Sequence, residues 1–404
     1  MPSASNLKDQ LEARNFNMKK QTIFTSAFLF LFISNFLTFI GFEMLLPILP
    51  AYLISIHASP FQVGLVTTVF TIGAIIIRPF VGYYLVDNRR KSLAIGAGVM
   101  LLMITIIYPF LNTIWLFLLL RFFHGATWGV STTANSTMAV DLIPKTRLGE
   151  GIGYFSISTT VGAIIAPSLG ILIYHSFSFQ LLIYSSVILC LLAVIALQFV
   201  YSAEPVKHEK QPFRFMEAIF EREVWFQALL TVMTTLGFGA IITFLVLYGE
   251  QRGLDQIFLF FLINAIVSTL LRPFTGKWFD KTGPWSIIIV SALVGFLSLI
   301  VLSYATNNGM LIIAAILFGA GYGTVMPCLQ TWTVQKVSEA KSGAANATFL
   351  SSFDIGVGIS AFILGLLAEW ISLEMIFRVV SISFLLVALF VYKDAKRTRK
   401  NNHR

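Results

Sequence analysis

Glu43, Arg121 and Asp354 stand inside stretches that are otherwise apolar. A carboxylate at depth can hold a proton in one setting and a cationic or polar solute in another, and a nearby guanidinium biases that choice. Arg121 lies about 12 Å from the outer end of its stretch, counted from Thr113 at ~1.5 Å per residue. Glu43 lies about 12 Å from the outer end of its own, counted from Ala51. The equal depths predict a Glu43–Arg121 ion pair, either a proton-exchange pair or a static contact that fixes helix packing. Asp354 falls about 16 Å beyond Gly343, near the middle of its stretch. It is either a second proton-coupling acid or a protonated aspartate bonded to a neighbouring helix backbone. His124 reads as a proton relay or as a hydrogen-bonded packing residue. With the aromatic residues Phe42, Trp128, Phe155, Phe238 and Phe353 it forms a candidate cavity lining, although each is equally explicable as plain packing.

The elements that must hold these residues are membrane helices. Of 404 residues, 57% are hydrophobic and 12% charged, and a mean hydropathy of +0.82 excludes an ordinary soluble domain. Hydropathy and breaker residues place twelve spans near 22–51, 62–85, 92–110, 112–138, 148–173, 178–200, 223–248, 256–278, 284–304, 309–335, 342–368 and 371–392. The expected fold is an all-α integral membrane protein of twelve transmembrane helices in two six-helix halves. The expected domains are a tail (1–21), a first bundle (22–200), a linker (201–222), a second bundle (223–392) and a basic tail (393–404).

The halves repeat one another. Arg78-Pro79-Phe80-Val81-Gly82 recurs as Arg272-Pro273-Phe274-Thr275-Gly276, and the same ungapped register pairs Gly125 with Gly319, Gly129 with Gly323, Ser158 with Ser352 and Gly162 with Gly356. Paired glycines mark places where helix backbones approach closely. Two copies of one membrane unit are the pattern of secondary transporters, with the substrate path between the halves.

A formal charge of +9 invites a nucleic-acid reading, but its distribution is topological. Of the 28 basic residues, only Arg78, Arg121, Arg252, Arg272 and Arg378 lie away from the terminal tails and the loops on their side. The positive-inside rule then puts both termini in the cytoplasm. Met18-Lys19-Lys20 before an apolar run resembles a signal peptide, but the run completes the first repeat and is read as span 1, with Met1 or Met18 as the start. Phe213, Phe215, Met216, Ile219 and Phe220 could form the apolar face of an interfacial helix in the linker. Cys190 and Cys328 fall in spans and read as buried apolar residues. No cofactor or metal site is expected.

The loop signatures narrow the class. Gly276, Asp280, Lys281 and Gly283 follow the pattern Gly-x-x-x-Asp-Arg/Lys-x-Gly, whereas the first copy keeps Gly82 but has Val86 at the acid position, Asp87 shifted by one and Arg89 for the last glycine, before Arg90 and Lys91. Arg121 and Gly125 fit Arg-x-x-x-Gly, Glu43-Met44-Leu45-Leu46-Pro47 fits an acid before Met-x-x-Pro, and Gly162, Ala166, Pro167 and Gly170 approximate Gly-x-x-x-Gly-Pro-x-x-Gly. Over about residues 22–392 the chain resembles the major facilitator superfamily, in its drug/proton antiporter branch. Asp354 is a coupling candidate by its depth, while the resemblance implies proton coupling through Glu43 with Arg121 as its counter-charge. It also implies a conformational latch at Arg78, Gly82, Asp87, Arg90, Arg272, Gly276, Asp280 and Lys281. Span 5, bent and packed tightly against span 8 through Gly162, Ala166, Pro167 and Gly170, would be its antiporter helix.

No phosphate loop, zinc-protease pair or nucleophile elbow is present, so enzymatic chemistry is not expected. The leading expectation is a monomeric plasma-membrane exporter of lipophilic or amphiphilic small molecules by proton antiport, with lipid, substrate and protons as its partners and no nucleic acid. A proton-coupled importer of a nutrient or metabolite and a non-transporting receptor or scaffold are the alternatives.

Overall fold

A computed structural model describes residues 22–85, 90–111, 113–144, 147–201, 221–337 and 342–402. Among the described residues, twelve helices are long and apolar enough to cross a membrane: Ser26–Ser55, Pro60–Val81, Arg90–Phe110, Ile114–Leu142, Tyr154–Ser176, Phe179–Gln198, Arg222–Arg252, Ile257–Thr282, Pro284–Ser303, Asn308–Gln335, Ala345–Leu367 and Leu373–Thr398. These are spans 1 to 12. An even number of crossings puts both ends of the described chain on one face, called here the terminal face.

Helix is the form that satisfies every backbone group in hydrocarbon, and the exposed first turns take side-chain caps. Thr25 accepts from the Phe28 N–H, Ser178 from Leu181 and Asn307 from Met310. Before span 2, Ser59 and Gln62 cap each other reciprocally, at 2.9 and 3.4 Å.

Packing follows the repeat. Span 1 lies against spans 5 and 6, span 2 against span 4, and span 3 against spans 4 and 6; the second half pairs 7 with 11 and 12, 8 with 10, and 9 with 10 and 12. The repeated glycines explain this. A Cβ on Gly319 would come within 2.7 Å of the Asn264 carbonyl, and Gly125 meets the equivalent carbonyl of Phe70 more closely still. Gly129 faces Ala74, as Gly323 faces Ser268. The halves touch through spans 2 and 11 and through spans 5 and 8, which exchange under the same symmetry.

Two features depart from expectation. Span 12 continues as helix to Asn402 instead of ending at 392, because its charged residues are good helix formers and Asp394 is tied back to span 9 by the Trp285 indole at 2.9 Å. Span 1 is broken after Glu43, and span 7, its counterpart, is not. The 1–21 tail, most of the linker, and Asp87 with its loop lie outside the described residues.

Candidate functional site

The break in span 1 is set by Pro47, which has no N–H to donate to the Glu43 carbonyl. The chain tightens instead: Leu45 donates to the Phe42 carbonyl at 3.0 Å and Leu46 to that of Glu43 at 3.2 Å, before helix resumes at Ile48. This leaves the Gly41 carbonyl unpaired within the helix, and the Ser186 hydroxyl of span 6 donates to it at 2.5 Å. Span 5 seats the same segment. A Cβ on Gly170 would lie 3.0 Å from the Met44 Cα, and one on Gly162 would lie 2.8 Å from the Phe39 Cβ. Ala166 between them is fully buried. The antiporter-helix residues were expected to pack on span 8. Span 5 does pack on span 8, where Ser168 donates to the Phe258 carbonyl at 3.1 Å, but Gly162 and Gly170 face span 1.

Glu43 thus ends a helix whose position is fixed from two sides. Its side chain is half-buried and makes no ion pair among the described residues. It lies within electrostatic reach of Asp354 and the Tyr322 phenol, both from the second half. Tyr322 stacks on Phe238 at 5.1 Å and 4°, and Phe238 meets Phe353 at 5.8 Å. Phe238 and Phe353 are half-buried and Tyr322 is buried, so Phe238 and Phe353 are the rings of this group that a solute can touch.

The expected Glu43–Arg121 pair is not formed. Arg121 is 1% exposed, donates through Nε to the Val66 carbonyl at 3.2 Å and lies over the Phe70 ring at 4.4 Å. One of its terminal nitrogens has no partner. Phe42 lies in the aromatic layer around Arg121, stacked on Trp128 at 3.9 Å and on Phe70 at 5.0 Å, with its edge to His124 at 5.1 Å. His124 is hydrogen-bonded through Nδ1 to the Tyr108 hydroxyl at 2.7 Å. Phe42, His124, Trp128 and Phe155 are therefore packed core here rather than cavity lining. Phe155 packs against Phe28 at the terminal end of the first half.

Asp354 has a partner that the sequence did not indicate: Arg78, from the other half, forms an ion pair with it. The pair lies at the inner limit of a seam between spans 2 and 11. At the far face the Phe61 N–H donates to Glu369 at 2.9 Å, and Gly64 meets Gly365 so closely that a Cβ would lie 2.9 Å from its Cα. Between these points Thr68 donates to the Gly358 carbonyl at 3.1 Å, and Thr243 bonds Thr67 at 3.3 Å. Glu369 and the Thr67, Thr68 and Thr243 hydroxyls are working residues that motif reading missed. Nothing in the sequence marked the cap of span 2 that comes from the opposite half.

The remaining latch residues are not gathered into one cluster. Arg90 pairs with Asp141 inside the first half. Arg272, Asp280 and Lys281 are exposed, and a Cβ on Gly276 would meet nothing within 4 Å. Gly283 ends span 8 at φ +74°, which favours glycine; the first copy has Arg89 there, and neither that residue nor the Gly82 environment is described. No cluster of three or more metal-ligating side chains occurs among the described residues.

Two pseudo-symmetric six-helix halves, with ionisable groups facing one another at their junction, define a secondary transporter of small molecules. The chain belongs to the Major Facilitator Superfamily, whose family model matches residues 31–360 and 294–404. It is 25% identical over 376 residues to the MFS-type transporter YhhS of Escherichia coli (strain K12), covering 90% of this chain and 91% of that one. It is 27% identical over 344 residues to the multidrug resistance protein MdtG of Serratia proteamaculans (strain 568), covering 80% and 82%. The crystal structure of the nucleoside transporter NupG shares the fold, with a TM-score of 0.74 and 15% identity over 91% of this chain and 99% of that one.

Proposed function

We propose that the protein is a monomeric, proton-coupled exporter of small lipophilic or amphiphilic molecules in the plasma membrane. The observation that carries this reading is the Glu43 carboxylate, held at a helix break with no ion pair among the described residues and within electrostatic reach of Tyr322, which stacks on the half-buried Phe238 of the opposite half. Aromatic rings bind the apolar body of a solute, and the acid exchanges a proton for its polar or cationic end. Mutually exclusive occupancy of one group by proton and solute makes exchange obligatory.

With both termini in the cytoplasm, as the basic loops indicate, the seam of spans 2 and 11 closes the outer side. Substrate then enters from the cytoplasm or inner leaflet, and opening the seam admits outside protons to Glu43. The similarity to a multidrug resistance protein supports export. The test is dissipation of an acid-inside pH gradient in everted vesicles by lipophilic cations, neutral drugs and zwitterions. Alkalinisation of the lumen driven by solute added to the medium supports antiport; efflux of lumen-loaded solute together with protons supports import instead.

A further inference from the structure

The two arginines of the repeat have different fates. Arg78 on span 2 is neutralised by Asp354 on span 11. The repeat maps this pair onto Arg272 of span 8 and Thr160 of span 5, and a threonine cannot neutralise a guanidinium. Arg272 is exposed, and its backbone carbonyl accepts from the Thr275 hydroxyl at 3.1 Å. It makes no ion pair among the described residues.

Its depth makes this unusual. Arg272 lies about 7.5 Å, at ~1.5 Å per residue, before Lys277, the first charged residue toward the terminal face, and so within the apolar part of span 8. A cation there is stable only with water, protein dipoles or an anion. One helical turn toward the terminal face, a Cβ on Gly276 would meet nothing within 4 Å, and Phe274 is 71% exposed. An unneutralised guanidinium therefore stands next to open space on the helix that borders span 5 across the junction.

We infer that Arg272 receives an acidic group of the transported molecule, a carboxylate, sulfonate or phosphate on an amphiphilic body. Guanidinium presents paired donors matched to such groups, which a lysine would not reproduce. The inference rests on the carrier reading and narrows its substrate class from amphiphiles in general to acidic or zwitterionic ones. An anionic lipid headgroup offers the same chemistry to Arg272, and the experiment has to separate the two sources.

The experiment is equilibrium binding to the full chain in phosphatidylcholine nanodiscs, with no gradient imposed. The probes are 3-(2-naphthyl)alanine and its carboxamide, which share ring and ammonium and differ only in the acid. The expected result is tighter binding of the acid by about ten-fold or more, retained in part by Arg272→Lys and abolished by Arg272→Gln. Equal affinities, or binding of neither probe, overturn the inference without recourse to any variant. Loss of the preference when phosphatidylglycerol is added to the discs also overturns it, because the headgroup then owns the site. The measurement is independent of proton coupling. A preference for the acid with no substrate-driven proton flux keeps this inference and removes antiport, whereas proton flux with no preference does the reverse.

Discussion

Gly64→Ala is a one-methyl perturbation of the seam that closes the far face. The added Cβ would collide with the Ala361 carbonyl and approach the Gly365 Cα to 2.9 Å, and both obstacles are backbone. Neither can rotate away, so spans 2 and 11 must separate by a few tenths of an ångström or more. Overpacking of this kind costs about 1–3 kcal/mol. Because only the closed arrangement makes the contact, that cost shifts the ratio of open to closed by about 5- to 150-fold. The reporter is Thr68→Cys, at a side chain 8% exposed within the seam, labelled by a hydrophilic maleimide in nanodiscs. The native Cys190 and Cys328 are buried and stay silent. Labelling should accelerate in Gly64→Ala and not in Gly96→Ala, where a Cβ meets nothing within 4 Å. Equal labelling rates in Gly64→Ala and the parent, or an equal acceleration by Gly96→Ala, would refute the assignment of this contact as a gate.

Other consequences follow from the same geometry. Ser186→Ala strips the Gly41 carbonyl of its donor, and thermal unfolding in detergent should show a loss of about 1 kcal/mol. The Arg78–Asp354 pair is incompletely buried, with side chains 25% and 17% exposed. Asp354→Asn should therefore destabilise by about 1–3 kcal/mol, less than for a fully buried pair, and adding Arg78→Gln should restore part of it; a double mutant no better than the single one argues against the pairing. Backbone and hydroxyl donors from Phe61 and Ser59 hold the Glu369 carboxyl below its usual range. A depressed carboxylate strengthens the closed seam fully above the ordinary glutamate value of about 4.3 and loses that contribution as pH falls through its lowered value. Thr68→Cys should therefore label faster in Glu369→Gln than in the parent, by a margin that stays constant between about pH 7 and 5 and closes only in stronger acid.

The helices were legible because lipid enforces long apolar stretches, and the repeat was legible because glycines cannot be exchanged where backbones touch. Gly125 and Gly319 meet equivalent carbonyls for that reason. Depth was also legible, since rise per residue is fixed, but direction around the axis was not. Glu43 and Arg121 sit at equal counted depths, yet the Pro47 break turns the acid toward Tyr322, while Phe42 from the adjacent position occupies the aromatic layer around Arg121. The Arg78–Asp354 pair was hidden for a different reason. Arg78 belonged to a loop signature and Asp354 to a span, and only the packing of spans 2 and 11 brings them together. Thr160 in place of a second acid was the available hint that the two junctions differ. Span 12 ran past its expected end because hydropathy reports lipid contact, not helicity.

The central claim is that Glu43 is the group shared by proton and substrate. It is tested by proton release from proteoliposomes under an imposed pH gradient, on addition of a transported compound, in wild type, Glu43→Gln and Asp354→Asn. The account predicts release that vanishes in Glu43→Gln while Asp354→Asn, which loses a structural ion pair, slows it and keeps the coupling. Release that survives in Glu43→Gln but disappears in Asp354→Asn would contradict it and move proton exchange to span 11.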